Sequence, residues 1–197
     1  SLLPTEAQFR AVLPTMVGTC QQIPPMYSAV HVDGKRLYEL ARMGIEVERQ
    51  PRTVELYDLS YVDRIAEDEY RFSVTCSAGT YIRTLCEDIA KKMDLCATMS
   101  ALRRTSSNGF SLEDALPLDR VIALAEQGKL DTVSVSAEAA FSVLPAVAVP
   151  QNGERFYRNG GSLSVKRFLP IPHQDGLFRA YSESHKFLGL LSVCDGE

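Results

Sequence analysis

The sequence predicts an α+β protein: a mixed, largely antiparallel sheet with helices packed on it, followed by a small β domain. Three observations carry this. Tyr70, Phe72, Val74 and Cys76 alternate with Arg71, Ser73 and Thr75, the two-residue period of a half-buried strand. Ile82, Leu85, Cys86, Ile89 and Met93 share one stripe at the spacing of an amphipathic helix. After a small and polar stretch at 128–140, short apolar runs return with turns between them.

The elements follow in order. Thr5 and Gln8 form a capping box that starts a helix running toward Pro14 or Gly18. Ser28 to Val32 reads as a short strand, and Asp33-Gly34 as a tight turn. Lys35 to Met43 is helical, with Gly44 in the terminating position. Along Arg52 to Val62, Val54 and Leu56 alternate in one phase and Tyr57, Leu59 and Tyr61 in the other, which predicts a bulge near Leu56. The polar turn at 66–69 joins this strand to the next in an antiparallel hairpin. Ala97 to Thr105 reads as a returning strand and Pro117 to Glu126 as an amphipathic helix. In the tail, Leu144 to Val149, Gly161 to Val165, Leu177 to Tyr181 and Phe187 to Val193 read as strands of a small barrel or sandwich. The expected domains are 1–127, a linker at 128–140, and 141–197.

Apolar residues make up 45% and charged residues 23%, which argues against disorder and coiled coil. No apolar run approaches the roughly 18 residues of a membrane span. The net charge of −4 gives no global field attracting nucleic acid, although the tail is slightly basic. The five cysteines form no CxxC and the three histidines are scattered, so neither a disulfide scaffold nor a metal cluster is expected. Reduced thiols in a cytoplasm fit best. Neither GxxxxGK[ST] nor GxGxxG occurs.

Three constellations remain. In Gly79-Thr80-Tyr81-Ile82-Arg83-Thr84 a strand passes through Gly into a helix start, and Arg83 lies in the first turn, where a cation opposes the helix dipole. An anion at the same helix end gives that placement a reason; a solvated Arg at an ordinary connection is the competing reading. In Leu102-Arg103-Arg104-Thr105, adjacent strand positions point to opposite faces, so one Arg reaches a phosphate or carboxylate while the other is solvated. A basic edge strand that blocks aggregation explains the pair equally well. The segment Pro24-Pro25-Met26-Tyr27-Ser28-Ala29-Val30, with Asp33-Gly34-Lys35-Arg36-Leu37-Tyr38 after it, joins aromatics and cations in a way that suits RNA, where bases stack and phosphates pair. Taken alone, it also fits a packed Tyr beside a surface hairpin.

Read together, QIPPMYSAVHVDGKRLYELARMGIEVERQPR, CSAGTYIRTLCEDIA and LRRTSSNGF resemble a bacterial tRNA pseudouridine synthase of the TruB type, over roughly residues 5–120. The tail, from LPAVAVPQNGERFYRNGG to KFLGLLSV, resembles that family's PUA-type RNA-binding domain. On this resemblance 1–127 is part of a catalytic domain and 141–197 the PUA-like domain. It implies isomerisation of uridine 55 in the tRNA T-loop, with the tRNA T-arm as partner, a cytoplasmic location, and no metal or organic cofactor. The base is flipped out, detached from C1′ and rejoined through C5. A non-catalytic tRNA-binding module or RNA chaperone is the alternative.

The family's nucleophile is an Asp in a GxLDPxAxG motif, and no Asp here has that context. The chain resembles the C-terminal two-thirds of such an enzyme and is expected to be inactive alone. The resemblance gives Arg83 the role of pairing with the catalytic Asp, Tyr81 the motif position beside it, and Leu102 a place in the uracil pocket. Tyr27, Lys35, Arg103 and Arg104 are the further candidates for substrate binding. The family commonly carries Lys where this chain has Ala78, which removes one cation near the RNA.

Overall fold

Thr5 opens the first helix with the predicted box: its hydroxyl accepts from the Gln8 N–H at 3.2 Å, and the Gln8 side chain accepts from the Thr5 N–H at 2.8 Å. These are the first elements of a computed structural model that describes residues 3–194. Helix α1 (Glu6–Val12) passes into a 3-10 turn at Leu13–Met16, where Pro14 cannot continue the α-helical ladder. Strand β1 (Gly18–Gln22) follows. A two-residue hairpin, β2 (His31–Val32) and β3 (Lys35–Arg36), turns at Asp33-Gly34, both with positive φ, as the dipeptide predicted. The strand expected over 28–32 shrinks to its last two residues. Helix α2 (Leu37–Arg42) buries Leu37 and Leu40.

Strand β4 (Arg52–Ala66) is central in a sheet of order β1-β4-β5, with β5 spanning Glu69–Cys76. Both pairings are antiparallel. The register shifts between Leu56 and Asp58, where the phase change predicted a bulge. Further shifts fall between Tyr61 and Asp63 and between Arg64 and Ala66, so Tyr57, Val62 and Ile65 are extra residues, and all three are exposed. The bulges keep Val54, Leu56 and Leu59 buried. Helix α3 (Ile82–Lys91) lays Leu85 and Ile89 against Phe9, Leu13, Leu56 and Leu59 to complete the core.

Ala97 to Thr105 is not a strand. The chain there is irregular, and residues 101–106 are exposed. No strand among the described residues offers these positions a ladder. The backbone divides into two compact units between Arg103 and Arg104.

In the second unit, hairpin β6 (Ser106–Ser107) and β7 (Phe110–Ser111) turns at Asn108-Gly109, again with positive φ at both. Helix α4 (Leu118–Glu126) matches its prediction and buries Leu124. Residues 125–139 are exposed throughout, and within the stretch expected as linker they form a 3-10 turn and the short helix α5 (Ala137–Ala140), capped by the Ser136 hydroxyl. The tail holds β8 (Ala146–Val149), α6 (Gln151–Arg158), β9 (Gly176–Ser182) and β10 (Phe187–Val193). Its sheet order is β10-β9-β8, with β8 parallel to β9. Gly161–Val165 is not a strand as expected. Ala148 exchanges both backbone hydrogen bonds with Leu169, which occupies the edge of β8 away from β9. Leu163 instead buries its side chain with Val147, Val149, Phe168 and Phe178. Helix α6 is absent from the sequence expectation, because Gln151-Asn152-Gly153 reads as a turn. It starts immediately after Pro150 and holds the sheet by a hydrogen bond from the Tyr157 hydroxyl to the Leu190 carbonyl at 2.8 Å.

No helix among the described residues is long and apolar enough to cross a membrane.

Candidate functional site

The α3 start is built by the turn after β5. Ser77 extends the ladder, its N–H donating to the Glu55 carbonyl at 2.8 Å and its hydroxyl accepting from the Glu55 N–H at 2.9 Å. The Thr80 hydroxyl returns to the Ser77 carbonyl at 2.9 Å, and Gly79 supplies the left-handed residue the reversal needs, φ +84°. Tyr81 is the N-cap in extended conformation, half-buried, and its side chain makes no capping bond. Its backbone is held instead by Gln22, which is 3% exposed. The Gln22 Oε1 accepts from the Tyr81 N–H at 2.7 Å and its Nε2 donates to the Tyr81 carbonyl at 3.0 Å.

Arg83 is the second residue of α3 and is exposed. Among the described residues it has no ion pair and no side-chain hydrogen bond, and the first turn of α3 carries no acidic residue. A cation and several free N–H groups therefore meet at one helix end, and both favour an incoming anion.

The segment after Gln22 is rigid. Pro24 is fully buried, and its carbonyl accepts from the Arg49 guanidinium at 3.2 Å. Tyr27 follows at 60% exposure, a free aromatic face, while the next residue, Ser28, is buried. The Tyr38 N–H donates to the Ser28 carbonyl at 3.1 Å and the Leu37 N–H to the Val30 carbonyl at 2.8 Å, fixing this segment to the start of α2. Lys35 is exposed on β3. Tyr38, the aromatic that closes the constellation read from the sequence, has two cations near its ring: Arg36 at 5.9 Å and Arg42 at 5.4 Å from its centroid. Arg42 is the member that sequence reasoning passed over, and its one-turn spacing from Tyr38 is the signal that was there to read.

Leu102, Arg103 and Arg104 are all exposed, Leu102 at 59%. The opposite-face argument for the two arginines fails with the strand. Arg104 reaches the Ser107 hydroxyl at 3.4 Å and belongs to the second unit, whereas Arg103 ends the first. The structure thus joins Tyr81 and Arg83 to the Gln22–Tyr27 segment and ties Lys35 to it through the β2–β3 hairpin. It does not tie Leu102, Arg103 or Arg104 to that cluster. A cavity of about 370 Å³ lies among α1, β5 and the end of α3, lined by Phe9, Tyr70, Cys86 and Met93 among others, and none of the seven candidates lines it. No group of His, Cys, Asp and Glu that could hold a metal occurs among the described residues.

Two family models match end to end: the TruB family pseudouridylate synthase N-terminal domain over residues 3–82, and the tRNA pseudouridylate synthase B C-terminal domain over residues 83–142. Similar proteins include tRNA pseudouridine synthase B of Halalkalibacterium halodurans, 42% identical over 91% of this chain and 62% of that protein. The same enzyme of Methylobacillus flagellatus is 38% identical over 94% of this chain and 60% of that protein. The chain therefore spans about 60% of the length of the curated relatives it matches. Among solved structures, a Cbf5-Nop10-Gar1 complex contains a chain with TM-score 0.72 and 23% identity, covering 98% of this chain and 56% of its own. An H/ACA RNP bound to a substrate RNA contains one with TM-score 0.66 and 21% identity, covering 96% and 54%. These likenesses show the fold. The two models meet between Ile82 and Arg83, at the start of α3, and together they span most of the sequence. The chain belongs to the TruB family of pseudouridylate synthases.

Proposed function

We propose that this chain is the larger part of a cytoplasmic tRNA pseudouridine synthase that isomerises uridine 55 in the T-loop. The observation that carries the reading is Arg83, a cation at a helix N-terminus with no anion beside it among the described residues. The catalytic carboxylate of a GxLDPxAxG segment, which this sequence does not contain, is the anion that completes it. Arg83 then holds that carboxylate ionised, as a nucleophile requires. Tyr81 flanks the pair. Tyr27 offers an exposed ring to a flipped base, whose unstacking costs a few kcal/mol that aromatic contact returns. Leu102 supplies an apolar wall for the uracil. Lys35, Arg103 and Arg104 meet phosphates of the T-arm.

The tail, residues 141–197, serves as the PUA-like unit that adds RNA affinity without choosing the base. Arg155 and Lys166 are exposed there. Arg158 is paired with Glu154 at 2.8 Å and Arg167 donates to Asn152 at 2.7 Å, so fewer cations are free for phosphate than the sequence count suggests.

The test uses T-arm RNA tritiated at uridine C5. This chain alone is expected to release no tritium. A chimera joining it to the N-terminal part of the Halalkalibacterium relative is expected to turn over. In the chimera, Arg83→Ala should lower the rate about a hundredfold or more with near-normal RNA affinity, because an uncompensated charge remains. Full activity of Arg83→Ala would overturn the assignment.

A further inference from the structure

Gln21 and Gln22 are adjacent on β1 and face opposite ways, as strand neighbours must. Gln21 is exposed, and its Nε2 donates to the Thr53 hydroxyl across the sheet at 2.8 Å. Gln22 is buried, and both ends of its amide are used on one residue, the N–H and the carbonyl of Tyr81, 59 positions away. A side-chain amide bonded in this way replaces a neighbouring strand. It satisfies the Tyr81 N–H, which precedes the α3 ladder, adds a second donor to the Tyr81 carbonyl, which also accepts from the Leu85 N–H at 3.0 Å, and holds Tyr81 in the extended conformation, φ −94° and ψ 104°, from which α3 sets out. Tyr81 brings no side-chain cap of its own. The direction of α3, and with it the position of Arg83 two residues on, depends on an anchor elsewhere.

That anchor is also the root of the other segment. Gln22 ends β1 and is followed by Ile23 and the buried Pro24, whose carbonyl is held by Arg49, and then by Pro25 and Met26 leading to Tyr27. Two successive prolines fix φ along this path, so the segment transmits the position of Gln22 rather than absorbing it. One buried side chain thus stands at the junction of the aromatic segment and the cationic helix start.

We infer that Gln22 is a positioning residue of the candidate site: its amide sets where Tyr81 and Arg83 stand relative to the segment carrying Tyr27. The inference rests on the reading of that site as the RNA-binding one. Gln22 touches no substrate in this role and acts through the Tyr81 backbone.

Gln22→Met keeps the length and apolar stem of the side chain and removes both hydrogen bonds. Gln21→Met removes the one bond of its neighbour and serves as the control for a merely structural contribution. Gln22→Glu keeps the acceptor for the Tyr81 N–H and, ionised, loses the donor. Two readouts are taken on the 197-residue chain: amide exchange by NMR, and affinity for a T-arm stem-loop RNA by fluorescence anisotropy. Gln22→Met should speed exchange at Tyr81 about tenfold, the weight of one hydrogen bond, while the Leu59 and Val74 amides are unchanged. Its RNA affinity should fall by about the same factor at least, with Gln22→Glu between it and the wild type. Gln21→Met should bind RNA as the wild type does. Equal losses for the two Met variants, or unchanged Tyr81 exchange in Gln22→Met, would overturn the inference. If Gln22→Met fails to fold, the comparison of Gln22→Glu with Gln21→Met decides by the same criteria. Failure of the wild-type chain to bind the stem-loop would overturn the RNA reading itself, and the Tyr81 exchange rates would then decide whether Gln22 anchors the helix.

Discussion

Phe9 of α1 stacks on Tyr70 of β5 with ring centroids 4.7 Å apart and planes 19° from parallel. Tyr61 and Phe72 close the cluster at 6.2 and 6.3 Å. The Tyr70 hydroxyl donates to the Pro4 carbonyl at 2.5 Å, so one side chain holds both the middle of α1 and the chain before it. Phe9 is 7% exposed. Phe9→Ala should therefore cost about 3–5 kcal/mol, transfer energy plus the cavity left behind. Tyr70→Phe keeps the ring and loses the hydrogen bond, which should cost about 0.5–1.5 kcal/mol. Urea unfolding of both variants checks the order; a Phe9→Ala loss smaller than that of Tyr70→Phe would contradict the packing.

Acid should weaken the fold through three carboxylates held below their usual range. Glu6 is lowered chiefly by its hydrogen bond with Arg10, Asp63 by that with Arg71, and Asp114 by that with the Ser111 hydroxyl. A group whose folded pKa is depressed contributes stability above its unfolded pKa and loses it as pH falls through the folded value. Stability should thus be level from neutral pH down to the ordinary carboxylate range and decline below it. All three groups lie at the surface, so each effect is small. NMR titration should place their midpoints below those of unpaired carboxylates, and Asp63→Asn should flatten the acid limb of the pH profile.

Thiol reactivity should divide the cysteines. Burial pushes the Cys86 thiol up, and burial with the nearby Asp88 charge pushes Cys20 up, so both hold little thiolate near neutral pH. Cys96 and Cys194 are exposed. Iodoacetamide followed by peptide mapping should label Cys96 and Cys194 first and Cys86 and Cys20 last. Early labelling of Cys86 would show that α3 does not hold it as the structure has it.

Gly44 ends α2 with φ +71°, and a Cβ there meets nothing within 4 Å. Its N–H donates to the Ala41 carbonyl, and the Ile45 N–H donates to the Leu40 carbonyl, each at 3.0 Å. Gly44→Ala should cost about 1–2 kcal/mol from the Cβ crowding its own backbone, with no clash against another residue. A cost near zero in thermal unfolding would mean that the helix ends in some other way.

The hairpin of β4 and β5, its first bulge, and helices α1, α3 and α4 were legible because each is written locally, in alternation, a helical stripe or a cap. Strand β1 was not, since Gly18-Thr19-Cys20-Gln21-Gln22 carries no apolar period and is a strand only because β4 pairs with it. The reverse error fell on Ala97 to Thr105 and on Gly161 to Val165, where strand-like composition finds no ladder. Strand formation is settled by the neighbour, which a single segment cannot reveal. The site divides likewise. Tyr81 and Arg83 stand out through motif and resemblance, whereas Gln22 is chemically identical to Gln21, and only the pleat of β1 assigns one to the surface and the other to Tyr81.

Strand β4 is served by its two partners in succession. β1 covers Arg52 to Leu56 along one side and β5 covers Leu56 to Ala66 along the other; Leu56 is matched on both, by Gly18 and by Cys76, and the overlap reaches Glu55, which faces Thr19 and is bonded by Ser77. The sheet is in effect two ribbons joined by a short lap splice at Glu55 and Leu56, with the splice sealed from water by a Leu that is 1% exposed. Tension along β4 has to cross that splice. If it opens, the stretch bearing Gln22 and the stretch bearing Tyr70 become separate two-stranded ribbons, and a lone ribbon is marginal in water. Leu56 is where the part of the sheet that carries the site shares its fate with the part that carries the core.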